Sequence, residues 1–259
     1  MSVRLTGEPD GSDGDDPRRR RGPRGDKAVD AIAEGVQGAE PAQVPQRLCV
    51  VASRVLPVTG ASVSLCSDGL PVPLSASDPR AAYLMEIQAT LGDGPCLHAA
   101  RTGAPVLAPD LTSAPDAHRW PVFAQQATEA GIRAVYALPL GAGDRCLGTL
   151  DLYRDAPGEL PARELHTAHV MAGVMTVALM ELPYGEENGG LGDGSWLSDL
   201  ATDHDEVYQA TGMIMAQLRI GADEALARLR AHAFAQGRTV LGAAHEVVTH
   251  RTRFDEEPP

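Results

Sequence analysis

The chain has 259 residues, of which 43% are hydrophobic and 22% charged, a composition that is typical of folded proteins and excludes a wholly disordered chain. Aromatic residues make up only 4%, so aliphatic side chains and alanine must form most of the core. The formal net charge of −13 argues against a protein that binds nucleic acid over its whole surface.

The negative charge is concentrated in the middle of the chain. Residues 27–199 hold ten basic residues against twenty acids, whereas residues 200–259 hold six arginines against nine acids. Three of those nine acids lie in the last five residues. A basic surface on the C-terminal segment is therefore compatible with the overall acidity.

The cysteines and the hydropathy pattern indicate in which cellular compartment the protein is located. The four cysteines form no C-x-x-C pair, and the N-terminus has no apolar signal segment. The most apolar run, residues 170–182, is shorter than the roughly 20 residues that a membrane-spanning helix needs. We expect a cytoplasmic protein with no membrane segment and no disulfide framework.

The first half of the chain alternates between helical and strand patterns. Residues 1–26 are rich in Gly, Pro, Asp and Arg, so we predict a disordered tail there. Apolar spacing predicts a helix over 43–56, a strand–turn–strand over 61–74 and a helix over 80–91. Most of residues 95–119 is predicted as loop, with a short helix near 97–101 and a short strand at 106–107.

The sequence predicts a helix over 122–130, then a β-hairpin and then a long helix. The hairpin strands, 133–140 and 146–154, are joined by Gly-Ala-Gly-Asp. The helix predicted over 161–181 is apolar nearly all round, so it must be buried on more than one side. Either its own domain covers it twice, or a second subunit packs against it.

The glycine-rich residues 183–195 predict a linker, and three helices follow it. The first runs from residue 196 or 200 to 218. The second has Asp223 as its predicted N-cap and ends at Gly237, and Thr239 caps the third. A bundle this short has little core of its own.

The C-terminal helices carry motifs that resemble the ANTAR domain, a three-helix RNA-binding module of bacterial transcription antiterminators. These motifs are Val-Tyr-Gln-Ala-Thr-Gly-Met at 207–213 and Ala-Leu-Ala-Arg-Leu-Arg-Ala-His-Ala at 225–233. Thr211 stands where many ANTAR domains have a basic residue. The resemblance implies binding to paired RNA hairpins with exposed loops by a protein homodimer.

The middle of the chain resembles a GAF sensor domain of the kind fused to ANTAR in actinobacteria. The motifs are Leu-Gly-Asp-Gly-Pro-Cys at 91–96, Arg-Trp-Pro at 119–121, Ala-Leu-Pro-Leu at 137–140 and Leu-Gly-Thr-Leu-Asp-Leu-Tyr at 147–153. The resemblance implies an α+β fold: a GAF-like antiparallel sheet domain flanked by helices, followed by a small all-α three-helix ANTAR-like bundle.

The domain organisation follows from these two resemblances. The segments are a disordered tail (1–26), a GAF-like sensor domain (42–182), a linker (183–195), an ANTAR-like RNA-binding domain (196–253) and an acidic tail (254–259).

Candidate RNA-binding residues lie on the first two helices of the bundle and just after them. Phosphate contacts come mostly from arginine and lysine, and exposed loop bases are the part of RNA that a protein reads by sequence. A glycine on the surface lets a base or backbone approach closely, although it also suits tight helix packing. The candidates are Gln209, Thr211, Gly212, Arg228, Arg230, His232 and Arg238. The alternative interpretation is a solvated helix face.

Candidate ligand-binding residues lie in the region predicted to cover the sheet. A thiol close to the imidazole of His98 is compatible with redox activity, with metal binding or with an inert packing role. The aromatic candidates are equally compatible with core packing. The candidates are Cys96, Trp120, Phe123, Tyr136 and Tyr153. The sequence identifies neither the ligand of this sensor domain nor a cofactor.

The sequence has no phosphate-cradling glycine loop, no Ser-His-Asp order and no metal motif, so we expect a regulator and not an enzyme. Three alternatives stay open. The last two helices, joined at residues 236–238, suit a helix-turn-helix that binds DNA. Cys66, Cys96 and Cys146 suit a cysteine-dependent GAF-fold reductase. The third alternative is a dimerising scaffold without a ligand.

Overall fold

The computed structural model describes residues 23–40, 43–67, 70–142, 145–181 and 195–254. The predicted linker (183–195) and acidic tail (254–259) therefore lie outside the described residues except for one residue each, and so does the predicted N-terminal tail up to residue 22. No helix in the described ranges is both long enough and apolar enough to cross a membrane.

The described residues form five strands and ten helices. The strands are β1 (Gly60–Ser67), β2 (Leu70–Ala76), β3 (Val106–Ala108), β4 (Ala134–Ala142) and β5 (Arg145–Arg154). The helices are α1 (Pro23–Val36), α2 (Val44–Val55), α3 (Pro79–Leu91), α4 (Pro95–Thr102), α5 (Ala114–Arg119), α6 (Pro121–Glu129), α7 (Ala162–Glu181), α8 (Ser195–Leu218), α9 (Ala222–Ala235) and α10 (Val240–Val248).

The five strands form one antiparallel sheet in the order β2-β1-β5-β4-β3. Strand β5 is central and pairs with β1 and β4, which confirms the predicted hairpin. Side chains alternate along β5 as the sequence predicts: Leu150 and Leu152 enter one core cluster and Tyr153 enters the other.

Helices cover both faces of this sheet. The face of Leu150 and Leu152 is covered by α1, α2 and α7, and the opposite face by α3, α4 and α6. The sensor domain is thus a sheet between two helical layers, each with its own apolar cluster.

Helix α1 begins at Pro23, so it overlaps the predicted tail at residues 23–26, and the sequence pattern did not predict it. Its stability comes from tertiary packing. Ile32 is 3% exposed in the cluster that also holds Leu48 and Val51. A Cβ added at Gly35 would lie 2.3 Å from a methyl carbon of Val51, so α1 and α2 approach each other closely.

Helix α7 is buried on one side only. Met175 is 2% exposed in the core, whereas Val177 and Met180 on the other side are 56% and 65% exposed. A Cβ added at Gly173 would meet nothing within 4 Å. The described residues of this domain therefore do not cover the helix on both sides, and they leave an apolar stripe exposed.

Helices α8, α9 and α10 form the C-terminal bundle around Ile214, Leu229 and Val247. Thr239 caps α10 as predicted, because its hydroxyl accepts a hydrogen bond from the backbone N–H of Gly242. The prediction for α9 is wrong by two residues. Gly221 occupies the N-cap, and Asp223 lies in the first turn, where the helix dipole favours a carboxylate.

Candidate functional site

The candidates on α8 differ in exposure. Gln209 and Gly212 are exposed, and a Cβ added at Gly212 would meet no atom within 4 Å. Thr211 is buried, and its hydroxyl donates a hydrogen bond to the carbonyl oxygen of Val207 at 2.7 Å. Gly212 therefore leaves open surface on α8, and no helix of the described residues packs tightly against it.

On α9, two candidates make local contacts. Arg228 is exposed and forms an ion pair with Glu224 at 3.2 Å, one helical turn earlier. The His232 ring lies 5.1 Å from the Phe254 ring, centroid to centroid, and its Nε2 is 3.1 Å from the amide nitrogen of Gln236. Phe254 brings the end of the described chain against α9.

Arg238 lies between α9 and α10 and pairs with Glu246. The Arg238 guanidinium lowers the pKa of the Glu246 carboxyl by hydrogen bonding and charge attraction. Both residues line a surface groove of about 590 Å³, to which Arg251 and His245 also contribute. The groove is therefore lined by two arginines and by two acids, Glu206 and Glu246.

Arg230 differs from the other arginine candidates because the sensor domain covers it. Its Nη1 atom would lie 2.3 Å from a Cβ added at Gly92, the C-cap of α3. Its Nε and Nη2 atoms are buried and have no hydrogen-bond partner among the described residues. Burial also lowers the pKa of this guanidinium. Two buried guanidinium nitrogens without hydrogen-bond partners among the described residues are unfavourable, so this contact destabilises the closed arrangement.

A second contact joins the domains beside Arg230. The backbone N–H of Val240, in the first turn of α10, donates a hydrogen bond to the Thr90 hydroxyl at 3.1 Å. The first N–H groups of a helix lack partners within the helix, so Thr90 satisfies one of them. The end of α3 thus holds both α9 and α10.

Gln88 lies on α3 two residues before Thr90, and its side chain joins three elements of the sensor domain, α3, α4 and β5. Its amide nitrogen donates to the Asp151 carboxylate at 2.9 Å, and its amide oxygen accepts from the backbone N–H of Cys96 at 2.8 Å. The side chain is fully buried. A Cβ added at Gly94 would lie 2.7 Å from this amide oxygen, so the glycine makes room for it. Gln88 therefore fixes α3 to both β5 and α4.

Asp151 is a buried carboxyl at the centre of the sheet. Desolvation raises its pKa from 3.8 to about 7, while the hydrogen bond from Gln88 acts in the opposite direction. The fold thus holds a carboxyl that gains or loses its proton near neutral pH.

A cavity of about 300 Å³ opens on the same sheet face, between the strand ends and α4. Its lining includes Cys66 on β1, Cys146 on β5, and Cys96 and Arg101 on α4. Of the predicted ligand-binding residues, only Cys96 lines this cavity. Sequence reasoning did not place Arg101 there, because the approach of α4 to the strand ends is a tertiary contact.

The four aromatic candidates lie in the core. Trp120, Phe123 and Tyr153 belong to the cluster under α3, α4 and α6, and Tyr136 belongs to the cluster on the opposite face. The structure therefore does not bring these five candidates together at one surface.

Gln88, Thr90 and Gly92 were not among the functional residues predicted from the sequence. Polar residues in the last turn of a helix give no distinctive pattern, and their partners lie 63 and 150 positions away. The only available signal was the glycine-rich segment that ends α3.

The fold and the bundle define a class of protein, a GAF-type sensor domain followed by an ANTAR-type helical bundle. Residues 40–179 match the GAF domain family and residues 197–248 match the ANTAR domain family. The chain belongs to the family of proteins that combine these two regulatory domains, of which GAF is a sensor domain and ANTAR an RNA-binding antitermination module.

Similar solved structures cover the sensor domain. The GAF domain of an Acinetobacter phosphoenolpyruvate-protein phosphotransferase is 10% identical with a TM-score of 0.50, over 63% of this chain and 96% of that chain. The corresponding domain from Coxiella burnetii is 16% identical (TM-score 0.47; 61% and 93% covered). A free methionine-R-sulfoxide reductase from Neisseria meningitidis is 14% identical (TM-score 0.43; 59% and 86% covered). No curated protein matches the chain. The first of these likenesses supports the GAF fold and nothing beyond it.

We predict that Asp151→Asn removes a pH dependence of stability. With a pKa of about 7, the folded chain holds a proton that an ordinary carboxyl has already released, so its stability falls as the pH rises from about 4 toward 7. Urea unfolding at pH 5 and pH 8 should show the wild type losing stability relative to the variant, by roughly 1.4 kcal/mol for each pH unit between pH 5 and the pKa of Asp151.

The variant keeps an oxygen that accepts the Gln88 hydrogen bond, so the comparison isolates the charge. A difference in unfolding free energy between the two proteins that is the same at both pH values would contradict a raised pKa for Asp151.

Proposed function

We propose that this chain is a signal-responsive regulator that binds RNA hairpins through α8–α10 and controls transcription termination in the cytoplasm. The observation that carries the proposal is the set of arginine side chains on and beside the bundle that matches ANTAR, namely Arg228, Arg230, Arg238 and Arg251. Gln209 and Gly212 are exposed on α8 of the same bundle.

The acids beside Arg228 and Arg238 do not prevent phosphate binding. Both arginines are about half exposed and pair with Glu224 and Glu246 on the same bundle. Exposed ion pairs contribute only about 0–1 kcal/mol, so an RNA phosphate is able to replace the carboxylate partner. Near-neutral net charge then limits indiscriminate binding and leaves room for selection of RNA shape.

The packing of the sensor domain on Arg230 supports a regulatory role for the contact. The same guanidinium cannot lie against Gly92 and on an RNA phosphate. A signal that favours separation of α3 from α9 would therefore favour RNA binding, provided that it binds the two arrangements with different affinity. The buried atoms of Arg230 without partners favour release of this contact.

The cavity at α4 is the proposed receiver of a small-molecule signal. Its volume of about 300 Å³ is at the lower end of the range for ligand pockets. One of its walls is α4, which Gln88 connects to the end of α3. A ligand that moves α4 would thus act on the segment that holds the bundle.

We also propose that the protein is a homodimer through α7. The uncovered stripe contains Val177 and Met180, and Gly173 lets another helix approach closely. Apolar helix faces of this kind are usually covered in soluble proteins, and a second copy offers an identical stripe.

For RNA binding, Arg228→Ala and Arg238→Ala should each weaken the binding of a tandem-hairpin RNA roughly three- to tenfold, because each removes a phosphate contact of about 1 kcal/mol. A gel-shift titration of the full chain at two salt concentrations measures this effect, and the salt dependence should decrease in each variant.

Arg163→Ala is the matched control, since it removes an exposed arginine from α7, outside the proposed surface. Equal affinity of all three variants and wild type would reject this surface. Stronger competition by duplex DNA than by hairpin RNA would favour the helix-turn-helix alternative.

For the regulatory contact, Gly92→Asn should increase RNA affinity because its Cβ displaces the Arg230 guanidinium. Asparagine tolerates the left-handed backbone of Gly92, whose φ is 66°. Gly103→Asn is the control: Gly103 also ends a helix with a φ of 64°, but a Cβ there meets nothing within 4 Å.

The gain in the Gly92 variant should disappear when Arg230→Ala is added, which identifies Arg230 as the released group. If the Gly92 and Gly103 variants bind RNA equally, the sensor domain does not mask Arg230.

For the dimer, Val177→Glu together with Met180→Glu should convert a dimer to a monomer, because the substitutions bring four like charges into one interface. Light scattering after size-exclusion chromatography measures the mass. Val122→Glu, which alters an exposed valine on α6, should leave the mass unchanged. A wild-type chain that is monomeric at micromolar concentration would disprove this proposal.

A further inference from the structure

Three of the four cysteines meet at one cavity, although they are far apart in sequence. Cys66 lies near the end of β1, Cys146 near the start of β5 and Cys96 in the first turn of α4, and all three line the same space of about 300 Å³. The described cysteines form no disulfide. The RNA surface uses none of these thiols.

A β-bulge places Cys146 on the cavity side of the sheet. The β4–β5 register passes from Leu140 opposite Gly148 to Gly141 opposite Cys146, which leaves Leu147 as an extra residue. Without it, Cys146 would share the opposite face with Leu150 and Leu152, because side chains alternate along a strand. The bulge thus redirects this thiol toward Cys66.

Cys66 and Cys146 lie on the neighbouring strands β1 and β5 and face the same cavity. Interaction with Cys66 lowers the pKa of Cys146 to about 6 and raises that of Cys66, and the Cys146 sulfur also lies 3.1 Å from the carbonyl oxygen of Gly148. Both side chains are partly exposed. The pair therefore contains a nucleophilic thiolate and a neighbouring thiol that keeps its proton.

The other two cysteines, Cys49 and Cys96, differ from this pair in their protonation. Cys96 and Cys49 are buried, and burial together with the charge of Asp151 raises the pKa of both thiols. They remain protonated at neutral pH and react slowly. The only charged side chain among the described residues that line the cavity is Arg101 on α4.

The donor set does not suit a metal. Among the described residues, no group of three or more His, Cys, Asp or Glu side chains is placed to hold a metal ion. Zinc normally takes at least three such protein ligands. Two adjacent thiols of unequal proton affinity are instead the arrangement of a reversible dithiol.

We propose that Cys66 and Cys146 form a redox-active dithiol in the sensor domain, which a small hydroperoxide entering the cavity oxidises to an intramolecular disulfide. This proposal concerns the chemistry of the sensor domain itself and does not depend on RNA binding.

The reaction balances in two steps. The Cys146 thiolate attacks one peroxide oxygen, the O–O bond breaks, and the other oxygen takes up a proton and leaves as an alcohol, or as water when the oxidant is hydrogen peroxide. The sulfur of Cys66 then attacks the resulting sulfenic acid, the S–S bond forms, and water leaves with the thiol proton. Two thiols are oxidised and one peroxide is reduced.

The test uses the full wild-type chain, because its tryptic peptides separate all four cysteines. Cys49, Cys66, Cys96 and Cys146 fall in residues 48–54, 55–80, 81–101 and 146–154. The reduced protein is treated with a small molar excess of hydrogen peroxide, alkylated, digested without reductant and measured by mass spectrometry. We expect a 55–80 peptide linked to 146–154 with the loss of two hydrogens, reversed by dithiothreitol.

Variants assign the two roles. Cys66→Ser should stop the reaction at a Cys146 sulfenic acid that dimedone labels, and Cys146→Ser should leave Cys66 reduced. Cys96→Ser should form the disulfide as the wild type does. In the reduced protein, alkylation of Cys146 should be half-maximal near pH 6, and Cys66→Ala should move that midpoint upward because the interaction with Cys66 is lost.

Three results would overturn the proposal. They are full alkylation of both peptides after peroxide treatment, a linkage of either peptide to 81–101, or labelling of Cys66 by dimedone in place of Cys146. The wild-type measurement stands without any variant, so a variant that fails to fold does not leave the proposal undecided.

Discussion

The buried amide of Gln88 is the interaction on which the arrangement of this molecule depends. It holds the sheet through Asp151 and the start of α4 through the Cys96 backbone, and its own helix ends at the contact with the bundle. All of these partners are buried, so a hydrogen bond lost here would leave a polar group without solvent. The position of α4, which forms one wall of the cavity, and the position of the end of α3, which contacts the bundle, therefore both depend on the Gln88 side chain.

The contact between the domains is built from weak parts. Among the described residues it includes a hydrogen bond from Val240 to Thr90 and the Arg230 guanidinium, two of whose nitrogens are buried there without a partner. A strong contact would keep the two domains in one arrangement. A weak contact leaves a small free-energy difference between the closed and open arrangements, so a ligand with a modest difference in affinity is able to shift the equilibrium. The unfavourable burial of Arg230 is thus consistent with a regulatory surface.

Much of the fold was predictable because it rests on local patterns. The alternation of Leu150 and Leu152 with their neighbours, the hairpin and the Thr239 cap all depend on residues close in sequence. Helix α1 was missed because its stability comes from Ile32 packing on another helix. The cap at Asp223 was placed two residues late because carboxylates also favour the first turn.

The sequence by itself determined the two domain families, the order of their elements and the near-neutral charge of the bundle, since these follow from motifs and composition. Only the tertiary structure decided which groups meet. It placed Arg230 under the sensor domain, left one side of α7 uncovered and, through a single extra residue in β5, brought Cys146 to Cys66. Such contacts join residues far apart in the chain, and no local pattern records them.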